Sequence, residues 1–584
     1  MRLYVSLWPY RTIGRRARRA RASEARVGAD LRASRSSRAS RFTLMSSTRR
    51  KRPRIFEPDS DSEEALAEKT LVPRGDGDAP SGNGAPSSVD PRPRPPCGGD
   101  GPSASSPIAR QPCCGDGVSS PIAPQPPPPQ SISGSSWAEC IKCICDPIRK
   151  PLGQQLRSLS VTTAFSGLGS IMQCLMMLGI AALESVAAET KTSAHTFCRR
   201  NNLLAEHVFE DIRSLVTSGS GRCIKHGHCH MPLGRADLCV MGFPCQPYSA
   251  ARVGSVDPEN IVRHKSFDLS REARRFLERT RPRAALLENV EGFANDRRGA
   301  SEPSAPGCSE ECLNFCENFC SDLRGIGYHV CWMRLRLEPW VAARSTRIYM
   351  FAVADDVGPE DVALRARELA EHIQTCRSER LPATLDTCYS RPGTPEWTRE
   401  CTRLLPESGP RGAPPDKQDA AWKKQAAAMR ERNGWRGNPW TQVDSPPLLR
   451  GLSKTARVEE VLNLGFFWGA QLLGLDPHCA SHRPSIAKQL ICDPSQNPGR
   501  HPWGLCLCCL TRGSRPYIYA EDRCMFPLEA YRVYGWESPT LDGLTDDEAW
   551  DLLGDSMALQ TLGVAASGLL LSLGERLPGL WRVR

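Results

Sequence analysis

Residues 159–169 read LSVTTAFSGLG, and this stretch decides how the rest of the chain is interpreted. β-branched and apolar residues dominate as far as Ala164, which predicts a strand, and the glycines that follow predict a tight turn. The next segment, IMQCLMMLGI, has a helical pattern. A strand, a glycine turn and a helix in this order begin a βαβ unit, whose turn lets the backbone approach a ligand closely.

The same alternation continues to about residue 355. Further strands are predicted at the end of IAALESVAAE and at ADLCVMG, RAALLENV, YHVCWMRLRL and TRIYMFAVA, mostly with helical stretches between them. Strands separated by helices of this length predict an α/β fold with a parallel, doubly wound sheet. Ligands of such a sheet lie at the carboxyl ends of its strands.

Composition divides the rest of the chain. Residues 1–56 form a basic, Arg-rich tail, in which TRRKRPR at 48–54 is typical of a nuclear import signal. An organelle transit peptide is the alternative, and Met45 is an alternative start. Residues 57–135 are rich in Pro, Gly and Ser and are expected to be a disordered linker. Residues 358–515 break the strand–helix alternation and predict an inserted small domain, so 155–357 and 516–584 are expected to form one main domain.

Charge and cysteine content limit the classes of partner. Residues 1–54 hold 17 Lys and Arg against two acids, and the remaining 530 residues sum to −4. A nucleic-acid site on the folded part must therefore be a local basic patch. The chain shows no secretory signal, so its 26 cysteines are expected to be reduced thiols inside the cell. The apolar stretch 556–574 is nearest to a membrane span, but its Ser, Gln and Thr residues favour a core helix.

Residues able to carry chemistry recur at the predicted strand ends. Glu189 ends a strand 20 residues after Gly169, a spacing that suits a carboxylate binding a ribose. Cys245 lies between prolines in GFPCQPYS at 242–249, where a stiff loop would present its thiol. Glu288 follows an apolar strand in ENV, and Arg347 precedes another. Each feature alone also has a purely structural explanation.

In this order the features resemble the cytosine-5 DNA methyltransferases. The resemblance covers residues 158–355 and 515–580, and the pair GFPCQPYS and LLENVEGF is its most specific part. It implies a Rossmann-like, S-adenosylmethionine-dependent methyltransferase core, with residues 358–515 as a target-recognition domain. It also implies S-adenosyl-L-methionine as cofactor and double-stranded DNA as partner. No metal site is expected from the spacing of the cysteines and histidines.

The resemblance assigns roles to individual positions. Cys245 would be the nucleophile, Glu288 would hydrogen-bond ring nitrogen 3 and the exocyclic amine of a flipped cytosine, and Arg347 would hold the ring carbonyl oxygen. The cofactor would contact Phe165, Gly167, Leu168, Gly169, Glu189, Thr190, Asp211, Ile212, Asp555, Ser556 and Met557. The substrate would contact Pro244, Gln246, Ser249 and Asn289.

Three positions depart from the family pattern. The first motif usually has Asp where this chain has Thr163, and the last motif usually has Asn where this chain has Asp555. The eighth motif keeps only Arg347, with Ser345 where an Arg is usual. Three functions therefore stay open: a DNA methyltransferase, an RNA (tRNA) cytosine-5 methyltransferase, and a catalytically weak chromatin-binding homologue. GFPCQPYS favours DNA, since the tRNA-directed branch usually reads PPCQPFT.

Several cysteine clusters invite a metal interpretation. CIKHGHCH at 223–230 is interpreted as a polar loop, with zinc as the alternative. The thiols of WAECIKCICDP at 137–147 are expected to be unligated at a domain edge. Cys308, Cys312, Cys316 and Cys320 repeat every fourth residue, so they are expected on one face of a helix, where they cannot surround one ion.

Overall fold

The structure is a computed structural model that describes residues 136–149, 158–232, 234–249, 261, 264, 266–295, 314–379, 384–404 and 420–576. These residues lie in one compact unit, residues 61–584. The predicted basic tail, the linker, Cys308 and Cys312 lie outside the described residues. So does most of the loop after Ser249.

A nine-stranded sheet forms the centre of the molecule, in the order β5-β4-β3-β2-β1-β6-β7-β9-β8. Its strands are β1 Leu159–Ala164, β2 Ala182–Ala188, β3 His207–Phe209, β4 Ser220–Cys223, β5 Gly227–His230, β6 Leu238–Met241, β7 Ala284–Val290, β8 Tyr328–Arg336 and β9 Thr346–Ala354. β3, β2, β1, β6 and β7 are parallel, as predicted. The expectation of a wholly parallel sheet is wrong at both edges, where β4, β5, β8 and β9 are antiparallel. Short connections such as the turn 224–226 can join only antiparallel neighbours.

Helices cover both faces of this sheet, so the predicted α/β, doubly wound fold class is confirmed. The helices of the described residues, including those of the small domain, are α1 Trp137–Arg149, α2 Ser170–Met177, α3 Thr192–Arg200, α4 Ile212–Ser218, α5 Asp268–Thr280, α6 Phe315–Gly325, α7 Asp361–Ser378, α8 Pro395–Leu404, α9 Ala420–Asn433, α10 Ala456–Leu473, α11 Arg483–Ala487, α12 Pro527–Val533, α13 Asp546–Gly554 and α14 Leu559–Arg576. The strand order reverses between β1 and β6. In an open α/β sheet, the crevice at such a reversal is where ligands bind.

The apolar helix α14 lies in the core. It packs along α7 and against α1 and α2, and the Tyr349 hydroxyl of β9 meets the Thr561 hydroxyl at 3.0 Å. By length and composition alone the stretch 546–575 could cross a membrane, but 89% of its apolar 18-residue window is buried inside the protein. The prediction of a core helix at 556–574 is confirmed.

A separate hydrophobic cluster, apart from the two that flank the main sheet, marks the small domain. It joins α9, α10 and α11 to a four-stranded sheet of β10 Ile491–Cys492, β11 Trp503–Gly504, β12 Tyr517–Ile518 and β13 Arg523–Cys524. Both predicted boundaries move. α7 belongs to the main core although it begins after residue 358, and β12 and β13 belong to the small sheet although they follow residue 515. Apolar periodicity marks α7 as a helix, but it does not show which core the helix packs against.

A buried ion pair joins β13 to α12. Both nitrogens of the Arg523 fork donate to Glu529 at 2.8 Å, and neither side chain has exposed surface. Glu529 also accepts from the backbone N–H groups of Ser390 and Phe526, each at 2.8 Å. The pair therefore connects the small sheet, the segment before α8 and the first turn of α12.

We expect Arg523→Met to lower the free energy of unfolding by about 3–5 kcal/mol, because it leaves the Glu529 carboxylate buried without its cation. Arg532→Met is the matched control, since Arg532 pairs with Glu396 at a partly exposed site and such pairs contribute about 1 kcal/mol or less. Urea unfolding of the two variants measures the difference. Equal losses would contradict this role for the buried pair.

Candidate active site

The glycine loop, residues 165–169, lies between β1 and α2. Phe165 and Gly167 adopt positive φ angles of 55° and 52°. A non-glycine residue in that region is strained, and such strain is concentrated at functional sites. No atom lies within 4 Å of the position that a Cβ on Gly167 would take. The backbone at Gly167 therefore faces open space, while the Leu168 side chain is buried in the core and offers a ligand only its backbone.

Glu189 directly follows β2 and holds the glycine loop. Its Oε2 accepts from the Gly167 N–H at 2.8 Å, and its Oε1 accepts from the Lys191 N–H at 2.9 Å. Each carboxylate oxygen has a second lone pair that can accept from a hydroxyl. The half-exposed carboxylate and the open backbone at Gly167 fit the ribose of a nucleoside cofactor, as the sequence predicts.

Glu184 is a functional candidate that sequence reasoning missed. Its buried Oε1 accepts from the Thr163 hydroxyl at 2.5 Å, and that hydroxyl lies 2.5 Å from Ser166 Oγ in the glycine loop. Burial raises the pKa of Glu184 to about 7, against the smaller lowering effect of the Thr163 hydrogen bond. Thr163 stands where the family usually has Asp, so β2 supplies a carboxyl group beside that position. The only sequence signal is one acid inside the apolar run ALESVAA.

The remaining expected cofactor residues before residue 240 lie near strand ends. Asp211 follows β3 and caps α4 by accepting from the Arg213 N–H at 2.9 Å. Ile212 is buried in the core directly after it. Thr190 is exposed beside Glu189.

The segment between α13 and α14 carries Asp555, Ser556 and Met557. Asp555 Oδ2 accepts from Lys191 Nζ at 2.6 Å, and its Oδ1 accepts from Arg512 Nε at 2.7 Å. The Ser556 hydroxyl donates to the Leu553 carbonyl at 2.8 Å. The sequence does not predict that Asp555 forms ion pairs with Lys191 and Arg512. Since Lys191 follows Thr190, its ion pair joins the segment between α13 and α14 to the residues after β2.

Cys245 lies in the loop after β6, between Pro244 and Gln246. The Tyr248 N–H donates to the Cys245 carbonyl at 2.9 Å, and the buried Tyr248 ring packs on Phe293 at 4.7 Å between ring centres. Pro244, Cys245, Gln246 and Ser249 are all half-exposed. The tight turn and the buried ring hold the thiol at the carboxyl end of β6.

Asn289, expected among the substrate-binding residues, has no exposed surface. Its amide donates to the Phe243 carbonyl at 3.2 Å, and its Oδ1 accepts from the Val290 N–H at 2.9 Å. The expected substrate contact of Asn289 stays a prediction, and in this conformation the side chain has no exposed atom to offer a base. Asn289 instead holds the Cys245 loop onto β7.

Glu288 and Arg347 meet across the antiparallel pair β7–β9. The register sets Arg347 opposite Val290, and Arg347 Nε lies 3.0 Å from Glu288 Oε1. A Cβ on Gly242, in the Cys245 loop, would lie 3.3 Å from Glu288 Oε2 and 3.5 Å from Met557 Cε. The structure therefore brings Glu288, Arg347, Met557 and the base of the Cys245 loop to one place.

Burial controls the protonation of this group. It raises the pKa of Cys245 to about 11, while Arg347 acts in the opposite direction and Glu288 and Asp555 raise it further. Burial likewise raises the pKa of Glu288 to about 7, against the lowering effect of Arg347. The site thus holds a thiol beside a carboxyl group that is partly protonated at neutral pH.

Residues 159–403 match the family model of the C-5 cytosine-specific DNA methylases. These residues belong to that family. Its members use S-adenosyl-L-methionine as their methyl donor. The matched range includes Cys245, Glu288 and Arg347, together with the glycine loop and Glu189.

One curated protein and two solved structures that are similar to this chain are also named as methyltransferases. The chain is 32% identical over 123 residues to the Type II methyltransferase M.Sau3AI of Staphylococcus aureus, which is 21% of this chain and 27% of that protein. The chain thus spans about a quarter of the curated relative it matches. Similar solved structures are the Entamoeba histolytica methyltransferase EhMeth (12% identity, 71% of this chain and 98% of that one, TM-score 0.35) and a putative prophage DNA modification methyltransferase of E. coli (14%, 71% and 99%, 0.36). At these TM-scores the fold assignment rests on the strand order itself.

We expect the stability of the methylase domain to fall as pH rises from about 4.5 to 7, because folded Glu184 keeps a proton that the unfolded chain has lost. Glu184→Gln removes this dependence. Its free energy of unfolding relative to the wild type should therefore rise between pH 5 and pH 8 by roughly 2–3 kcal/mol at most. Urea unfolding at the two pH values measures the change.

Thr163→Val serves as the matched variant for the same titration. It keeps the carboxyl group and removes the hydrogen bond that lowers the pKa of Glu184. The pH window of declining stability should then extend to higher pH. A Glu184→Gln variant whose relative stability is the same at both pH values would contradict the buried, proton-holding carboxyl group.

Proposed function

We propose that this protein methylates carbon 5 of cytosine in double-stranded DNA, through a transient bond between Cys245 and carbon 6 of the base. The observation that carries the proposal is the meeting of the Cys245 loop, Glu288 and Arg347 at the carboxyl ends of β6 and β7. The glycine loop and Glu189 follow the neighbouring parallel strands β1 and β2, so they also lie at the carboxyl ends of the strands.

Covalent catalysis answers a chemical problem. Carbon 5 of cytosine is a poor nucleophile, and addition of a thiolate at carbon 6 makes it enamine-like. S-adenosyl-L-methionine, which the glycine loop and Glu189 would hold, would supply an electrophilic methyl group when bound. The chain itself has to supply the nucleophile, a proton for the ring and a site that excludes water.

Glu288 is suited to the proton transfer. When the Cys245 sulfur bonds to carbon 6, the π electrons move toward ring nitrogen 3, which takes a proton from the Glu288 carboxyl group. A carboxyl group with a pKa of about 7 can hold that proton at neutral pH, which an ordinary glutamate cannot. Arg347 stabilises the carboxylate that results through their 3.0 Å contact.

Release of the product reverses these steps. After carbon 5 is methylated, its proton leaves to a base and the bond between Cys245 sulfur and carbon 6 breaks. The electron pair of that bond returns to the sulfur, and nitrogen 3 gives its proton back to Glu288. Cys245 and Glu288 are then ready for another cycle.

The target base has to leave its helix to reach Cys245. A stacked cytosine cannot approach a thiol that is held at the end of a strand among buried side chains, so we include base flipping in the proposal. Half-exposed Pro244 and Gln246 flank Cys245 in the chain, and with Ser249 of the same loop they are the residues that we expect to contact the flipped nucleotide.

We expect Cys245→Ser to abolish transfer of labelled methyl groups to duplex DNA, because a serine hydroxyl is a far weaker nucleophile than a thiolate. The matched control is Cys376→Ser, on α7, which should keep full activity. A 5-fluorocytosine duplex should trap the wild type covalently, since fluorine cannot leave as a proton does. Transfer to tRNA but not to DNA would favour the RNA alternative, and DNA binding with no transfer would favour a catalytically weak homologue.

We expect kcat/KM to rise with pH up to about 7 and then to level off, because thiolate becomes more abundant while protonated Glu288 becomes scarcer. Glu288→Gln should lower kcat/KM by roughly 10²–10⁴-fold, and its residual activity should keep rising above pH 7. Methyl-transfer rates between pH 6 and pH 9 test both statements. A plateau that persists in the variant would remove Glu288 from the proton transfer.

A nuclear site of action is part of the proposal and rests on TRRKRPR at 48–54. A fluorescent fusion of the full chain is expected to concentrate in the nucleus. Replacing Arg49, Arg50, Lys51 and Arg52 with alanine should release it to the cytoplasm. Accumulation in an organelle would favour the transit-peptide alternative instead.

A further inference from the structure

Four potential metal ligands meet at the β5 edge of the sheet, within the segment 207–229. They are His207 of β3, Cys223 of β4, His226 of the following turn and Cys229 of β5, and their ligand atoms all lie within 4.8 Å of one another. Cys223 Sγ is 3.5 Å from His226 Nδ1, and Cys229 Sγ is 3.5 Å from His207 Nδ1. None of the four takes part in the proposed methyl transfer.

Strand register places these side chains on one face. Cys223 pairs with Phe209, and His207 lies two residues before Phe209, so the His207 and Cys223 side chains point the same way. Cys229 pairs with Gly221, two residues before Cys223. It therefore joins the same face opposite a residue without a side chain.

The hairpin turn brings in the fourth ligand. Residues 224–226 connect β4 to β5, and Gly227 takes a φ of +75°, which a three-residue hairpin needs where it re-enters the strand. The His226 ring comes within 4.7 Å of the His207 ring, between ring centres. The turn thus folds His226 back over the thiols.

We propose that these four residues bind a structural Zn²⁺ ion. Zinc–sulfur and zinc–nitrogen bonds of about 2.3 and 2.0–2.1 Å at tetrahedral angles set a sulfur and a nitrogen ligand about 3.6 Å apart. Both cysteine–histidine distances are close to that value. Two thiolates neutralise the ion, and sulfur with imidazole ligands selects zinc over magnesium or calcium.

The site would be closed, and its role structural. Four protein ligands complete a tetrahedron and leave no position for a substrate. β5 is mostly exposed and, among the described strands, pairs with β4 alone at the lateral edge of the sheet, so the hairpin buries little apolar surface of its own. A metal bound by β3, β4, β5 and their turn would fasten this edge beside Asp211, which follows β3.

The test uses the full chain stripped with a chelator and titrated with Co²⁺. Tetrahedral cobalt with two thiolates gives intense visible bands and a thiolate-to-cobalt charge-transfer band. Cys223→Ser and Cys229→Ser should each lose one equivalent of Co²⁺ with these bands relative to the wild type. Because the chain holds 26 cysteines, the test depends on the difference in bound Co²⁺ between the wild type and each variant. His228→Asn and His230→Asn are matched controls on the same hairpin, outside the cluster, and should keep the full equivalent.

A second variant guards against misfolding of the cysteine variants. His226 is exposed, so His226→Asn should stay folded, keep both thiolates and show shifted, weakened cobalt bands. Zn²⁺ should raise the melting temperature of the stripped wild type but not of Cys223→Ser. The proposal is overturned if the cysteine variants keep the full cobalt equivalent, if the hairpin controls lose as much, or if the purified protein carries a Cys223–Cys229 disulfide. The test is independent of the proposed function, because Cys245→Ser leaves these four ligands in place.

Discussion

The reversed direction of β9 is the constraint on which the candidate active site depends. β9 begins where β7 ends, so the antiparallel register places Arg347, at its start, across from Val290 and within 3.0 Å of the Glu288 carboxyl group. If β9 were parallel to β7, Arg347 at its start would lie beside the first residues of β7 and far from Glu288. Strand direction, more than any single contact, therefore decides whether the cation and the acid form one site.

At the same site, burial and a neighbouring cation act in opposite directions on the ionisation of two reactive groups. Burial makes the thiol of Cys245 and the carboxyl group of Glu288 harder to ionise, and Arg347 favours the ionised form of both. Neither acid can ionise at low cost without the cation, so their protonation is linked. A base that enters the site and accepts a proton from Glu288 would change this balance at the moment of reaction.

Much of the main sheet and the approximate place of the site follow from the sequence. Apolar runs and glycine turns predict the strands, and the carboxyl ends of parallel strands predict where Glu189, Cys245 and Glu288 converge. Strand direction at the edges and the domain boundaries do not follow, because they depend on which surface each element packs against. Asn289 shows the limit most clearly, since a motif position expected to contact the base is wholly buried.

The features missed from sequence share one cause. Glu184 acts on Thr163 from a neighbouring strand, 21 residues away, and His207 joins the cluster of CIKHGHCH from β3. The spacing of residues along the chain predicts neither contact, because strand pairing brings the residues together. A search of sequence motifs finds ligands that are near in the chain and overlooks the one that completes the set.

The position of α14 near the end of the chain affects how the protein folds during its synthesis. Strands β1 to β9 have been synthesised by residue 354, yet the face that α14 covers stays open until residues 559–576 emerge from the ribosome. At about 5–20 residues per second, that interval lasts roughly 10–40 s. The apolar surface that α14 covers would stay exposed throughout translation of the intervening domain, so nascent chains should depend on chaperones, and ribosomes that stall within the small domain should release aggregation-prone fragments.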